Sequence, residues 1–428
     1  MHTWREMGLT LPCVLLPKRE YRNEKWSVVA CDQFTSEPDY WQEVEKIVGE
    51  AKSTLHLILP ELYLEAEDVQ ARIETIHHNM QNYGQEGVFE EYGSGIMRII
   101  REVDGKTRKG IVIAVDLEAY DFSADSVSLI RATEGTIVER IPPRLQIREK
   151  ASLELPHILL LLDDPQKKVI EPLFEQEAEC MYHMSLMQNG GQIQGAHLPE
   201  AQLTRFQSAL SDLLDQKREA QNPILFAVGD GNHSLATAKT HWENLKKSLP
   251  QTEQEAHPAR FALVEIENVH DDGIEFEPIH RVLFGAGKQT MVDLRTIISE
   301  QNGGEVKILT EEETKSFAGQ CISYFDGDEH QWMGIGSPAH QLTVGTLQNA
   351  LDVFLREHAE VSIDYIHGAP VVAQLAKEAG NIGFLLPALD KSELFASVQK
   401  DGPLPRKTFS MGEANEKRYY MECRKITK

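Results

Sequence analysis

Short apolar runs alternate along this chain with longer stretches whose apolar residues return every three or four positions. That rhythm predicts strands and helices in alternation. Residues 26–31 read as a strand, followed by a helix over 39–51 with Pro38 and Asp39 near its start. A helical stretch over 68–83 precedes two strands, 96–103 and 110–117, paired around the turn-forming Asp104-Gly105. Residues 128–141 carry strand character that Pro142-Pro143 ends. Residues 169–187 read as a helix, and 199–217 as a better one. In the latter Leu203, Phe206, Leu210, Leu213 and Leu214 form one apolar stripe suited to core packing. Strands at 224–228 and 260–267 follow, then a hairpin of 321–325 with 331–335 around Asp326-Gly327. Helices over 346–357 and 371–379 and a strand at 383–386 close the pattern.

The expected fold class is therefore α/β in the broad α+β sense, with mixed sheets and flanking helices. At roughly 150 residues per domain, 428 residues make two or three domains. The expected division is an N-terminal α/β region (1–150), a central region (151–290) and a C-terminal α/β region (291–428). The polar connections at 188–197 and 245–257 are its softest joints.

One segment reads as built to receive a ligand. The apolar run 224–228 leads into Gly229-Asp230-Gly231-Asn232-His233-Ser234, and from Leu235 the apolar positions take up helical spacing. Gly229 and Gly231 permit a tight turn with positive φ and close backbone approach. A helix starting near His233 would aim free N–H groups and a positive dipole end into that turn, which favours an anion. The plainer alternative is a turn that only reverses the chain and caps a helix, with Ser234 as the cap. The spacing is not that of a Walker A loop, and a third glycine is missing for a dinucleotide fingerprint.

Composition narrows the ligand classes. A formal net charge of -24 disfavours nucleic acid and anionic lipid as partners, though a local basic pocket can still hold a small anion. No apolar stretch approaches the roughly 20 residues of a membrane span; the longest, 158–162, is strand-sized. Pro12 interrupts the apolar start at 9–16, so no secretory leader is expected. Five scattered cysteines without Cys-x-x-Cys or zinc spacing fit a reduced, cytoplasmic protein.

Three further constellations carry candidate chemistry, each with a bland counterpart. Asp32, at the end of the expected 26–31 strand, suits a general base or a Mg²⁺ ligand, and equally a turn cap. Pro278 is expected to interrupt the local pattern, and His280 and Arg281 after it pair two donors suited to phosphate or carboxylate, and equally a surface pair. Residues 403–409 place Arg406, Lys407 and Thr408 on a proline-stiffened loop that suits an anion, or is simply solvated. His270-Asp271-Asp272 reads as a solvated turn, and His77-His78 do not share a helix face.

Taken in order, these pieces resemble a family catalogued as domain of unknown function 1015. Its Asp-Gly-His-His-Arg motif is matched by Asp230-Gly231-Asn232-His233-Ser234, its Pro-Thr-His-Arg motif by Pro278-Ile279-His280-Arg281, and its Met-Pro-Pro-Lys-Ser-Thr motif by Leu404-Pro405-Arg406-Lys407-Thr408. The first motif is similar to the phosphate-binding turn of the ParB/sulfiredoxin-like superfamily, which includes nucleotide-dependent free serine kinases. The resemblance implies a core of that type around 224–248 and ADP or ATP, with Mg²⁺, at the turn. It further implies that Gly229, Gly231, Asn232 and Ser234 line the phosphates, with His280, Arg281, Lys407 and Thr408 as companions. Asp32, Asp230 and His233 become the catalytic candidates: His233 donating to phosphate, Asp230 orienting the loop or holding Mg²⁺, and Asp32 acting as base toward a hydroxyl acceptor.

The chain departs from that pattern at two positions. Asn232 replaces the first His and Ser234 the Arg, removing an always-charged bidentate phosphate donor. Arg281 or Lys407 would have to compensate. Two functional readings thus stand: a nucleotide-dependent small-molecule kinase-like enzyme, or a non-catalytic nucleotide or metabolite sensor. A protein in which the motif is only a fold signature is the third.

Overall fold

A computed structural model describes all 428 residues as two compact units. The first comprises Met1–Glu275 and Gly412–Lys428, and the second Phe276–Met411. The regions 1–150, 151–290 and 291–428 expected above are thus distributed over two units, the chain leaving the first at 275 and returning at 412.

The first unit is built on a mixed ten-stranded sheet. Its strands run in the order Cys180–Ser185, Gln192–His197, Met97–Val103, Lys106–Asp116, Phe261–Asn268, Leu159–Leu162, Phe226–Asp230, Ile130–Arg131 and Tyr120–Asp121, with Leu9–Thr10 also on Lys106–Asp116. Phe261–Asn268 pairs parallel with Leu159–Leu162, and Phe226–Asp230 parallel with Ile130–Arg131. Both faces are covered, and the period of two along Lys106–Asp116 divides its side chains between them. Ile111, Ile113 and Val115 join Phe206, Leu210, Leu214 and Trp242 from the helices Glu200–Lys217 and Asn232–Leu245. Val112 and Ala114 join Ile73, Ile76, Met80 and Tyr83 from the helix Val69–Gln85. A strand buried on both faces reads as a continuous apolar run, as this one does.

The second unit carries a seven-stranded sheet with the core order Val306–Leu309, Glu329–Ile335, Gln320–Asp326, Asn381–Leu385, Phe276–Phe284 and Ser362–His367, all antiparallel. Phe409–Met411 pairs with the start of Phe276–Phe284. Leu294 and Ile298 of the helix Thr290–Asn302, with Leu347, Leu351 and Phe354 of Thr343–Glu357, are fully buried.

Four local expectations are corrected. Residues 26–31 form no strand; they make the isolated bridge Val29–Arg418 and scattered bonds, Ala30 N–Lys417 O (2.8 Å), Tyr419 N–Val28 O (3.0 Å), Thr54 N–Trp26 O (2.8 Å) and Glu61 N–Cys31 O (2.8 Å) among them. Trp26, Val28 and Val29 are buried, so the apolar run reports burial rather than a ladder. In 128–141 only Ile130–Arg131 is strand, and Pro142-Pro143 opens the helix Ile141–Glu149. Proline suits a first helical turn, whose N–H groups lack partners in any case. The expected 169–187 helix is one 3₁₀ turn, Glu171–Phe174, followed by the strand Cys180–Ser185, held by its antiparallel neighbour Gln192–His197. Cross-strand pairing outweighs the local helical pattern there. Finally, Pro278 does not interrupt Phe276–Phe284, because proline is tolerated near the start of a strand.

Candidate functional site

The strand Phe226–Asp230 ends in a bulge between Val228 and Asp230, where its pairing with Leu159–Leu162 shifts register at Gly229. Gly231 follows at φ 80°, ψ 28° and forms the N-cap of the helix Asn232–Leu245. Any other residue would be strained there: a Cβ would lie 3.1 Å from Ile158 Cα, in a conformation that side chains disfavour. Ser234 is therefore not the cap but a first-turn residue, and no side chain caps this helix. The first N–H groups of any α-helix lack intrahelical partners, so they remain available to an anion here.

Side chains distant in sequence surround the turn. Asp230 Oδ1 accepts from Gly231 N (3.0 Å), while Oδ2 lies 3.4 Å from Lys417 Nζ. Burial disfavours the Lys417 charge, yet Asp230 and Asp32 raise its pKa above the ordinary lysine value. Burial likewise opposes ionisation of Asp32, but His157 and Lys417 hold its carboxyl below the ordinary range, helped by a 2.9 Å bond from Gln33 Nε2. Asp230 is thus in contact with the Lys417 ammonium, while Asp32 interacts with the same charge and stays ionised at neutral pH.

Asn232 is committed to the scaffold: its Oδ1 accepts from Thr133 N (3.2 Å). His233 Nε2 accepts from Ile137 N at 3.3 Å, which assigns the ring proton to Nδ1 in the neutral form. Burial, with Arg144 and Arg140, pushes the His233 pKa down to about 4, so the imidazole is neutral and its Nδ1–H is a donor. Ser234 Oγ lies 2.8 Å from His157 Nε2, and the His157 ring packs against Tyr419 at 4.9 Å.

His280, Arg281, Lys407 and Thr408 belong to the second unit. Arg281 is fully buried, binding Gln348 Oε1 (3.1 Å), the Ile279 carbonyl and the Arg406 carbonyl (3.3 Å) over the Tyr365 ring. His280 Nδ1 accepts from Leu386 N (3.1 Å), and Thr408 Oγ1 donates to the Pro405 carbonyl (2.6 Å). Lys407 sits at φ 57°. Within the first unit the cations at the turn are Lys417, Arg140 and Arg144, none of which the sequence pattern singles out. Lys417 had one faint signal, the dense run Asn415-Glu416-Lys417-Arg418-Tyr419-Tyr420.

The donor set bears on Mg²⁺. No group of three or more His, Cys, Asp or Glu side chains converges to hold a metal ion. Mg²⁺ bound chiefly through substrate phosphates needs only one or two carboxylates, with phosphate oxygen and water completing its shell, and Asp230 is the carboxylate at the turn that could serve it.

Residues 15–354 match the family described as "Protein of unknown function (DUF1015)", and the chain belongs to that family. No curated protein matches it. Among solved structures it resembles a free serine kinase in complex with ADP (13% identity, 74% of this chain and 92% of that chain, TM-score 0.39). It also resembles a conserved hypothetical protein from Pyrococcus furiosus (11%, 74% and 95%, 0.36) and SbnI with a C-terminal truncation from Staphylococcus aureus (11%, 70% and 82%, 0.37). Likenesses this distant say nothing about ligand or chemistry. No helix is long and apolar enough to cross a membrane.

Proposed function

We propose that the chain is a nucleotide-dependent phosphotransferase acting on a small hydroxyl compound at the turn of residues 229–234. The observation that carries this reading is an uncapped helix N-terminus beside Asp230, which contacts Lys417, with Asp32 acting on the same lysine's charge. In it the N–H groups from Asn232 to Ser234 and His233 Nδ1–H bind the phosphates, the neutral imidazole acting as donor rather than as cation. Gly229 and Asn232 shape the loop, and Lys417 supplies charge in place of the missing Arg.

Asp230 would hold Mg²⁺, which when bound neutralises phosphate charge. Asp32 takes the proton of the acceptor hydroxyl as its oxygen bonds to phosphorus and the phosphorus–oxygen bond to the nucleotide breaks. Its lowered pKa keeps Asp32 ionised, and phosphoryl transfer asks such a carboxylate chiefly to orient the hydroxyl and accept its proton late in the reaction. A non-catalytic nucleotide sensor is the second reading, favoured by Ser234, whose hydroxyl is tied to His157 and brings no charge.

A thermal-shift screen with ADP, ATP, CTP and inorganic phosphate, with and without Mg²⁺, tests both. A nucleotide at a hundred times its Kd stabilises by about 2.7 kcal/mol. Stabilisation followed by transfer of phosphate to hydroxyl acceptors supports the enzyme. Binding without transfer supports the sensor, and no shift with any nucleotide contradicts both.

A further inference from the structure

Beside the turn, and within the first unit, lies a cavity of about 140 Å³. Ser234, Thr237, His157 and Tyr419 form the wall toward the turn. The remainder is largely aliphatic, with Leu57, Leu59, Met80, Ile147 and Leu153 among its lining residues. The charged side chains on its border are already engaged: Arg144 Nε donates to Glu61 Oε1 (2.7 Å), and Arg148 Nη2 to Glu154 Oε2 (2.7 Å). Two nitrogens of lining residues lack a hydrogen-bond partner, Arg148 Nε and His157 Nδ1, and only the second belongs to a side chain with no ion pair. His157 Nδ1 is buried without a hydrogen-bond partner, while Nε2 of the same ring meets Ser234 Oγ.

We propose that this cavity binds the apolar body of the phosphoryl acceptor, a small alcohol or phenol whose hydroxyl pairs with His157. The proposal rests on the phosphotransferase reading for the word acceptor, but not for the binding itself. Size supports it: apolar cavities of roughly 150 Å³ take up benzene-sized molecules. Chemistry excludes the polar competitors. A nucleobase would turn ring nitrogens and exocyclic groups toward aliphatic side chains, leaving them unpaired. A free amino acid such as serine would bring an ammonium and a carboxylate into a wall whose ions already have partners. A hydroxyl on an apolar body leaves one polar group to satisfy, and His157 Nδ1 can pair with it.

Ligand-observed NMR with benzyl alcohol, 3-methylbutan-1-ol, glycerol and serine tests the proposal on the whole protein. Benzyl alcohol and 3-methylbutan-1-ol should bind at least tenfold more tightly than glycerol or serine. Ala151→Leu, which adds bulk at the lining, and Leu64→Trp, which fills from the half-buried rim, should each weaken benzyl alcohol at least tenfold. Both should leave Mg·ADP affinity within twofold. Equal binding of glycerol or serine, or unchanged benzyl alcohol affinity in folded filled variants, overturns the proposal. If either variant fails to fold, crystals soaked in benzyl alcohol decide, with density in the cavity expected and density elsewhere or nowhere contradicting it. Alcohol binding without nucleotide binding defeats the phosphotransferase reading alone; nucleotide binding without alcohol binding defeats this inference alone.

Discussion

Replacing Lys417 with Met keeps the length and packing of the side chain and removes its charge from between Asp230 and Asp32. The Lys417–Asp230 contact is 3.4 Å, with 21% of one side chain and 24% of the other exposed. Breaking a buried pair costs about 3–5 kcal/mol and an exposed one about 0–1 kcal/mol, so this intermediate pair should cost about 2 kcal/mol. The stranded second carboxylate, Asp32, adds to that cost rather than offsetting it.

The pH dependence has a definite sign. Asp32 has a folded-state pKa below its ordinary 3.8, so its contribution is present above about that pH and is lost as pH falls through the lower folded value. Lys417 has a folded-state pKa above 10.5, so its contribution is full below that value and is lost as pH rises through the higher one. The difference between wild type and Lys417→Met should be flat from about pH 5 to 9 and shrink toward pH 3.

Urea unfolding followed by tryptophan fluorescence in a Trp332→Phe background reads the first unit alone, because Trp4, Trp26, Trp41 and Trp242 all lie there. With an m-value of about 3 kcal/mol/M, the midpoint should fall by roughly 0.7 M at pH 7.5. An unchanged midpoint, or a loss of the same size at pH 3, refutes the reasoning.

Other outcomes follow from the same geometry. Gly231→Ala should cost about 2 kcal/mol in the same urea assay, from a left-handed backbone and a Cβ 3.1 Å from Ile158; a loss under 0.5 kcal/mol contradicts the turn as described. The His233 imidazole should not titrate by NMR between about pH 5.5 and 8. Because its pKa is depressed to about 4, its contribution to stability is full above 6.5 and declines as pH falls toward 4. A His233 titration near 6.5 contradicts this. Arg281→Ala removes a fully buried guanidinium with three oxygen partners and should cost the second unit about 3 kcal/mol. Hydrogen exchange along Phe276–Phe284 would report that loss, and unchanged protection would contradict it.

Where one element's own periodicity determines its burial, the chain is legible. The stripe Phe206, Leu210, Leu213 and Leu214 is buried in the structure, and the hairpin around Asp326-Gly327 forms with Asp326 opposite Glu329. The strand, turn and helix at 226–245 are equally plain, and Gly231 has the positive φ that the turn demands. Legibility fails where a distant partner decides. Residues 26–31 look like a strand because they are buried, but their bonds go to separate distant segments, at Thr54, Glu61, Lys417 and Tyr419. The return of the C-terminal segment also brings Lys417 to Asp230, which no local spacing announces. His157 is silent in the sequence for a similar reason: it is an isolated histidine after Pro156, and only the packing of Leu159–Leu162 beside Phe226–Asp230 brings it to Ser234.

Titration calorimetry of Mg·ADP and Mg·ATP into wild type, His233→Ala and Asp32→Asn tests the central claim most directly. The account predicts saturable binding of a nucleotide to wild type and at least tenfold weaker binding to His233→Ala. Asp32→Asn should bind but transfer no phosphate. Absence of binding heat with wild type, or equal affinity in His233→Ala, would contradict it.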